Sequence, residues 1–287
     1  MQEAAETEQQ TAKEHAEKER TEKERNGSGH VAIVGGTGFE TLPPEIFAEP
    51  LDIDTRFGPA RVLSVSNNYV EPYKLFFLSR HGVTHGLAPH QINYRANIAA
   101  LVELGARYVL ATNAVGSLRL DLPPGSLVLM DDFIDFTRNR PLSYFAEGEE
   151  WSHVDFSAPY SPLLRQSIIE AAAEMEIPLI SKGTYLCCDG PRFESPAEVR
   201  LFGKWGADIV GMTGLPEAVF AREAGLEYAA LGIVTNFGAG LTAELVDHNA
   251  VTARMQALLP QVRELLLTAG GRLIETLERA DSSSSCC

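Results

Sequence analysis

Val31-Ala-Ile-Val-Gly-Gly-Thr-Gly38 is the stretch from which the fold is read. Its four leading residues are apolar and mostly β-branched, the make-up of a strand buried on both faces. The glycines behind them tolerate positive φ and close approach by other groups. The expected structure is a strand entering a tight loop whose exposed N–H groups form a nest, with Thr37 adding a hydroxyl. An ordinary strand-to-turn junction would use the same residues. Phe39 and Glu40 stand where a dinucleotide-binding helix would begin, and no Gly-Lys-Ser/Thr follows, so neither a G-x-G-x-x-G fingerprint nor a P-loop is present.

The same grammar recurs outward from this stretch. Lys74-Leu-Phe-Phe-Leu-Ser79 reads as a buried strand delivering Arg80-His81-Gly82. Residues 108–112 form a strand ending in Asn113-Ala-Val-Gly-Ser117, residues 207–213 one ending at Thr213, and residues 229–235 one delivering Asn236. Residues 51–55 suit an edge strand, and 61–66 and 182–188 further strands. Helical periodicity covers 92–104, 162–175, 196–205, 216–224, 245–267 and 272–280. Strands alternating with helices predict an α/β fold, with one mixed central sheet flanked by helices and no boundary inside residues 30–280. Thr37, Arg80, Asn113, Thr213 and Asn236 all fall at strand C-terminal ends, where open α/β sheets bind ligands. Residues 138–160, rich in Pro, Gly and acid, read as an active-site or interface excursion. Residues 1–29 and 281–287 read as a charged, disordered tail and a flexible polar one.

Composition narrows the function. The 287 residues are 45% hydrophobic and carry a formal charge of −15, enough apolar content for a large core and the wrong sign for nucleic acid. No apolar run reaches the ~18 residues of a membrane span. A cytoplasmic protein is expected. The four cysteines form two adjacent pairs, Cys187–Cys188 and Cys286–Cys287, with neither zinc-ligand spacing nor a disulfide framework. His81, His85, His90 and His153 lack any metal-binding motif, so neither a metal nor a cofactor is expected.

Single residues suggest a ligand with two ends. The Arg80 guanidinium after an apolar strand can grip an oxyanion, or sit in a buried structural salt bridge. Phe193 can stack on a flat ligand while Glu194 accepts N–H groups from its edge. Asn236 offers both a donor and an acceptor.

Val34-Gly-Gly-Thr-Gly38, Arg80-His-Gly82, Pro89-His-Gln-Ile-Asn-Tyr-Arg-Ala-Asn97, Asn113-Ala-Val-Gly-Ser117, Gly190-Pro-Arg-Phe-Glu194 and Gly211-Met-Thr-Gly-Leu-Pro-Glu217 occur together and in order. Over about residues 30–270 the chain thus resembles the trimeric purine nucleoside phosphorylases, in their methylthioadenosine phosphorylase branch. The resemblance implies a single-domain phosphorylase/hydrolase-like fold, a homotrimer or dimer of trimers, and phosphorolysis of an N-glycosidic bond with inorganic phosphate as co-substrate. By match to the family, Thr37, Arg80, His81, Ala114 and Thr213 are phosphate contacts, and Asn113 is counted with them. Met212 lies under the ribose and beside the base. Phe193, Glu194 and Asn236 surround the purine. His85 and His248 lie near the 5′ side of the sugar, and His153 reaches across a subunit interface.

Departures from the branch choose the base. Its 6-aminopurine enzymes carry Asp in place of Asn236, a small hydroxyl residue in place of Glu194 and often Asp in place of Gly238. The Glu/Asn pair is the pattern of 6-oxopurine enzymes, implying inosine and guanosine as substrates, with Glu194, Asn236 and His81 in the catalytic machinery. 5′-Methylthioinosine, or methylthioadenosine, is the alternative substrate. A non-catalytic nucleoside-binding protein would keep the base contacts without phosphate-dependent cleavage.

Overall fold

The computed structural model describes residues 29–36, 38, 39, 42, 46–65, 74–82 and 86–284. The expectations for Thr37, His85, the N-terminal stretch to residue 28 and Cys286–Cys287 lie outside the described residues.

Strand β1 (His30–Gly35) is the strand expected at the opening stretch. It runs parallel to both neighbours, β4 (Leu75–Ser79) and β5 (Ala106–Ser117). Its side chains alternate between two cores, as the two-residue period of a strand requires. Val31 and Ile33 enter the core containing Leu164 and Ile168 of α2 (Pro162–Glu174) and Val262 and Leu266 of α5 (His248–Ser284). Ala32 and Val34 enter the core containing Ile98 and Leu101 of α1 (Tyr94–Glu103) and Phe220 of α4 (Glu217–Glu223). Both faces are covered, which is why β1 is apolar from Val31 to Val34.

Among the described residues the sheet has eleven strands. One path runs β2 (Ala48–Thr55), β3 (Gly58–Val65), β4, β1, β5, β10 (Ile209–Gly211), β9 (Thr184–Cys187), β7 (Asp132–Asp135). On its other side β5 pairs with β11 (Glu227–Phe237), which continues to β6 (Leu127–Leu129) and β8 (Leu179–Ile180). Parallel and antiparallel pairs are mixed, β10 lying antiparallel to β5 but parallel to β9. The long β5 is the hub where both branches meet, so the residues at its C-terminal end face groups from several elements at once.

Two helices near the site carry side-chain caps. Ser161 accepts from the Leu164 N–H at 3.4 Å and precedes Pro162. Ser195 and Glu198 form a reciprocal capping box on α3 (Pro196–Lys204), anchoring the loop that carries Phe193 and Glu194.

Besides shifts of a few residues at other element ends, three differences from the sequence reading change the elements themselves. Residues 113–117 continue β5 rather than leaving it, because pairing with β10 and β11 overrides the weak strand preference of Asn, Gly and Ser. Two expected C-terminal helices are one, α5, with Pro260 inside it and Gly270 packed close to Val31. That helix runs to Ser284, four residues into the expected tail 281–287. No helix among the described residues is long and apolar enough to cross a membrane.

Candidate functional site

A cavity of about 310 Å³ opens at the strand ends. Just after β1 comes Gly36, after β4 His81 and after β10 Met212 and Thr213, while β5 supplies Ala114 and Gly116 and β11 Thr235 and Asn236. The order β4-β1-β5 groups Gly36, His81 and Ala114, whereas β11 and the segment after β9 bring Asn236, Phe193 and Glu194.

The first group is held rigidly. His81 is buried, and its Nδ1–H donates to the Leu87 carbonyl at 2.8 Å, which sets the ring plane. Thr213 is fixed twice: Asn113 Nδ2 donates to its hydroxyl oxygen at 2.9 Å, and its own N–H donates to the Tyr185 hydroxyl at 3.3 Å. With that oxygen already accepting, the Thr213 O–H is set to donate. Asn113, expected as a phosphate contact, is fully buried and absent from the cavity wall. Its role is to hold Thr213.

Arg80 lies behind this wall. Its Nε and Nη2 each donate to the Glu217 carboxylate at 2.7 Å, and its Nη1 donates to the Thr112 carbonyl at 2.7 Å. The Tyr228 hydroxyl donates to the same carboxylate at 2.8 Å. Burial alone would lower the Arg80 pKa; the charge and hydrogen bonds of Glu217 outweigh it and hold it above the usual arginine value. A Cβ on Gly36 would lie 2.9 Å from Nη1, so only glycine lets the loop sit this close to the guanidinium. Of the two readings of Arg80, the structure shows the buried salt bridge: the side chain lies behind Gly36 and, like Asn113, is absent from the cavity wall. Sequence reasoning missed Glu217 as the partner, although the motif containing it was recognised.

At the second group, Glu194 is half-buried in the cavity wall. Burial pushes its carboxyl pKa up, the Glu198 charge adds to this, and Arg192 and the Cys188 thiol pull the other way. Asn236 Oδ1 accepts from the Thr235 hydroxyl at 2.9 Å, and Nδ2 donates to the Phe237 carbonyl at 2.9 Å. Opposite it Gly116 leaves room, since a Cβ there would lie 3.2 Å from Nδ2.

Arg140 ties the two loops together. Its Nη2 donates to the carbonyls of Met212 (2.6 Å), Asp189 (3.1 Å) and Cys188 (3.3 Å), and its Nη1 donates to the carbonyl of Leu215. It comes from the stretch read as an excursion, and only its placement reveals the role.

Met212, Leu87, Pro89, Val251 and His248 line the space between. His248 opens α5 at the cavity rim. His153 is exposed and outside the cavity of this single chain, its ring 5.0 Å from that of Trp151. Among the described residues no group of His, Cys, Asp and Glu could hold a metal ion.

Fixed N–H and O–H donors at one group, with a carboxylate and an amide at the other, suit an anion and a flat polar heterocycle joined across an apolar floor. Comparisons with known proteins agree. A 6-oxopurine nucleoside phosphorylase from Pyrococcus furiosus is 42% identical over 246 residues, 83% of this chain and 91% of that protein. A probable S-methyl-5′-thioinosine phosphorylase from Xylella fastidiosa is 45% identical over 212 residues, 73% and 89% of the two chains. The solved methylthioadenosine phosphorylase from Schistosoma mansoni in complex with tubercidin superposes with a TM-score of 0.77 at 30% identity, covering 89% of this chain and 98% of that one. The family model described as Phosphorylase superfamily matches residues 30–269, and the chain belongs to that superfamily.

Proposed function

We propose that the chain cleaves 6-oxopurine nucleosides, inosine and guanosine, with inorganic phosphate, releasing the free base and ribose 1-phosphate. The observation that carries this is the meeting of Glu194 and Asn236 on the wall of the cavity that also holds Gly36, His81, Ala114 and Thr213. A 6-oxopurine offers N1–H to a carboxylate and the acceptors O6 and N7 to an amide N–H. Phosphate seats against Gly36, His81, Ala114 and Thr213, with the Arg80 charge behind Gly36; the family match adds Thr37 to this set. A phosphate oxygen attacks C1′ as the glycosidic electron pair leaves with the purine. Asn236 stabilises the charge growing at N7 and O6 while Glu194 anchors N1, and Phe193 and Met212 flank base and sugar. Positioning and preorganised electrostatics do most of the work, and the reading calls on no resident cofactor.

A homotrimer or dimer of trimers in the cytoplasm is part of the same proposal. Trp151 and His153 are exposed and outside the cavity of one chain, which supports a role for His153 at a neighbour's sugar site. A second reading takes 5′-methylthioinosine. Apolar Leu87 and Val251 line the cavity along with His248. Initial rates with phosphate and inosine, guanosine, adenosine, methylthioadenosine or methylthioinosine decide. The expected order places inosine and guanosine first; methylthioinosine far ahead selects the second reading, and preference for either 6-aminopurine nucleoside overturns both.

A further inference from the structure

The orientation of the Asn236 amide follows from its neighbours. The Phe237 main-chain oxygen lies 2.9 Å from one end of that amide. A carbonyl oxygen only accepts, so the nearby atom is Nδ2. Oδ1 is therefore the atom 2.9 Å from the Thr235 hydroxyl, whose single proton is shared between this closer acceptor and the Val115 carbonyl at 3.2 Å. Reversing the amide would set Oδ1 against the Phe237 oxygen, acceptor against acceptor.

The backbone explains why Thr235 can do this. Adjacent residues of a regular strand point to opposite faces. In β11, however, Val234 pairs with Val115 and Asn236 with Gly116, leaving Thr235 as the extra residue of a β-bulge. Thr235 is buried, yet both it and Asn236 line the cavity.

We infer that Thr235 is a positioning residue for base discrimination, locking the Asn236 amide so that it offers the ligand an N–H and not its oxygen. One Nδ2–H is taken by Phe237, and Oδ1 is occupied by Thr235. The remaining N–H donates, so it matches only an acceptor edge beside it. O6 and N7 of a 6-oxopurine provide one; the exocyclic amine of a 6-aminopurine sets donor against donor. The inference rests on the 6-oxopurine reading proposed above.

The test is kcat/KM for inosine and for adenosine, with saturating phosphate, in the wild type, Thr235→Val and Thr235→Ser. Valine keeps the shape without the hydroxyl, and the inosine-to-adenosine ratio is expected to fall about tenfold. Serine restores the ratio, while the KM for phosphate stays within about twofold in all three. An unchanged ratio in Thr235→Val, whether rates are intact or uniformly reduced, overturns the inference and leaves Thr235 structural. If Thr235→Val does not fold, Thr235→Ala with calorimetric titration of hypoxanthine and adenine reads the same ratio. A wild type that does not prefer inosine overturns the 6-oxopurine reading itself, before any variant is made.

Discussion

At the scale of single residues, Glu194 couples recognition to pH. Its carboxyl is raised by burial above the ordinary glutamate value of about 4.3. Accepting N1–H requires the ionised form. As pH falls through the raised pKa, that form is lost, so kcat/KM for inosine is expected to drop on the acid side with a midpoint above about 4.3. Glu194→Gln removes this limb and lowers kcat/KM roughly 10- to 100-fold, the weight of a charged hydrogen bond. Stability moves the other way. A carboxyl whose folded pKa exceeds its unfolded one contributes stability that is present below the unfolded pKa and lost as pH rises through the folded pKa. Above its raised pKa the ionised Glu194 therefore weakens the free protein, and there Glu194→Gln should melt at the same or a higher temperature. A marked fall in melting temperature would make Glu194 a structural residue instead. Glu194 and Asn236 were legible in sequence as residue types beside apolar strands. The Thr235 hydroxyl was not, because its partner depends on a bulge that periodicity does not reveal.

At the scale of elements, the anion end rests on a contact between β4 and α4. Arg80 follows the one and Glu217 opens the other, and Tyr228 of β11 completes the buried group. Removing one charge leaves the other uncompensated in the core, so Glu217→Gln is expected to cost about 3–5 kcal/mol of stability in urea unfolding. Tyr228→Phe removes one hydrogen bond to a charged group and should cost about 1.5–3 kcal/mol while leaving the ion pair in place. Both should raise the KM for phosphate, Glu217→Gln the more. Equal KM values in the two variants and the wild type would detach Arg80 from phosphate binding. Most strands and helices could be read from periodicity and caps, as with Ser161-Pro162 opening α2. The two-residue β8 could not, being too short to show a period, and the run 113–117 misled because its strand character comes from its neighbours.

At the scale of the whole molecule, one chain holds a cavity whose wall does not include His153. Light scattering is expected to give three or six times the chain mass. His153→Ala is expected to raise the nucleoside KM several-fold at unchanged mass and unchanged KM for phosphate. A fully active monomer would remove His153 from the site. What the sequence by itself determined is the covered sheet and its ligand-binding edge: paired faces of β-branched and aromatic residues demand helices on both sides, and polar residues recur where strands end. The partners were decided only in the tertiary structure. Arg80 with Glu217, Asn113 with Thr213 and Arg140 with four carbonyls are all distant in sequence. A hydrogen bond is set by ångström-scale placement of donor and acceptor, and that placement exists only once β5 has gathered both branches of the sheet around its C-terminal end.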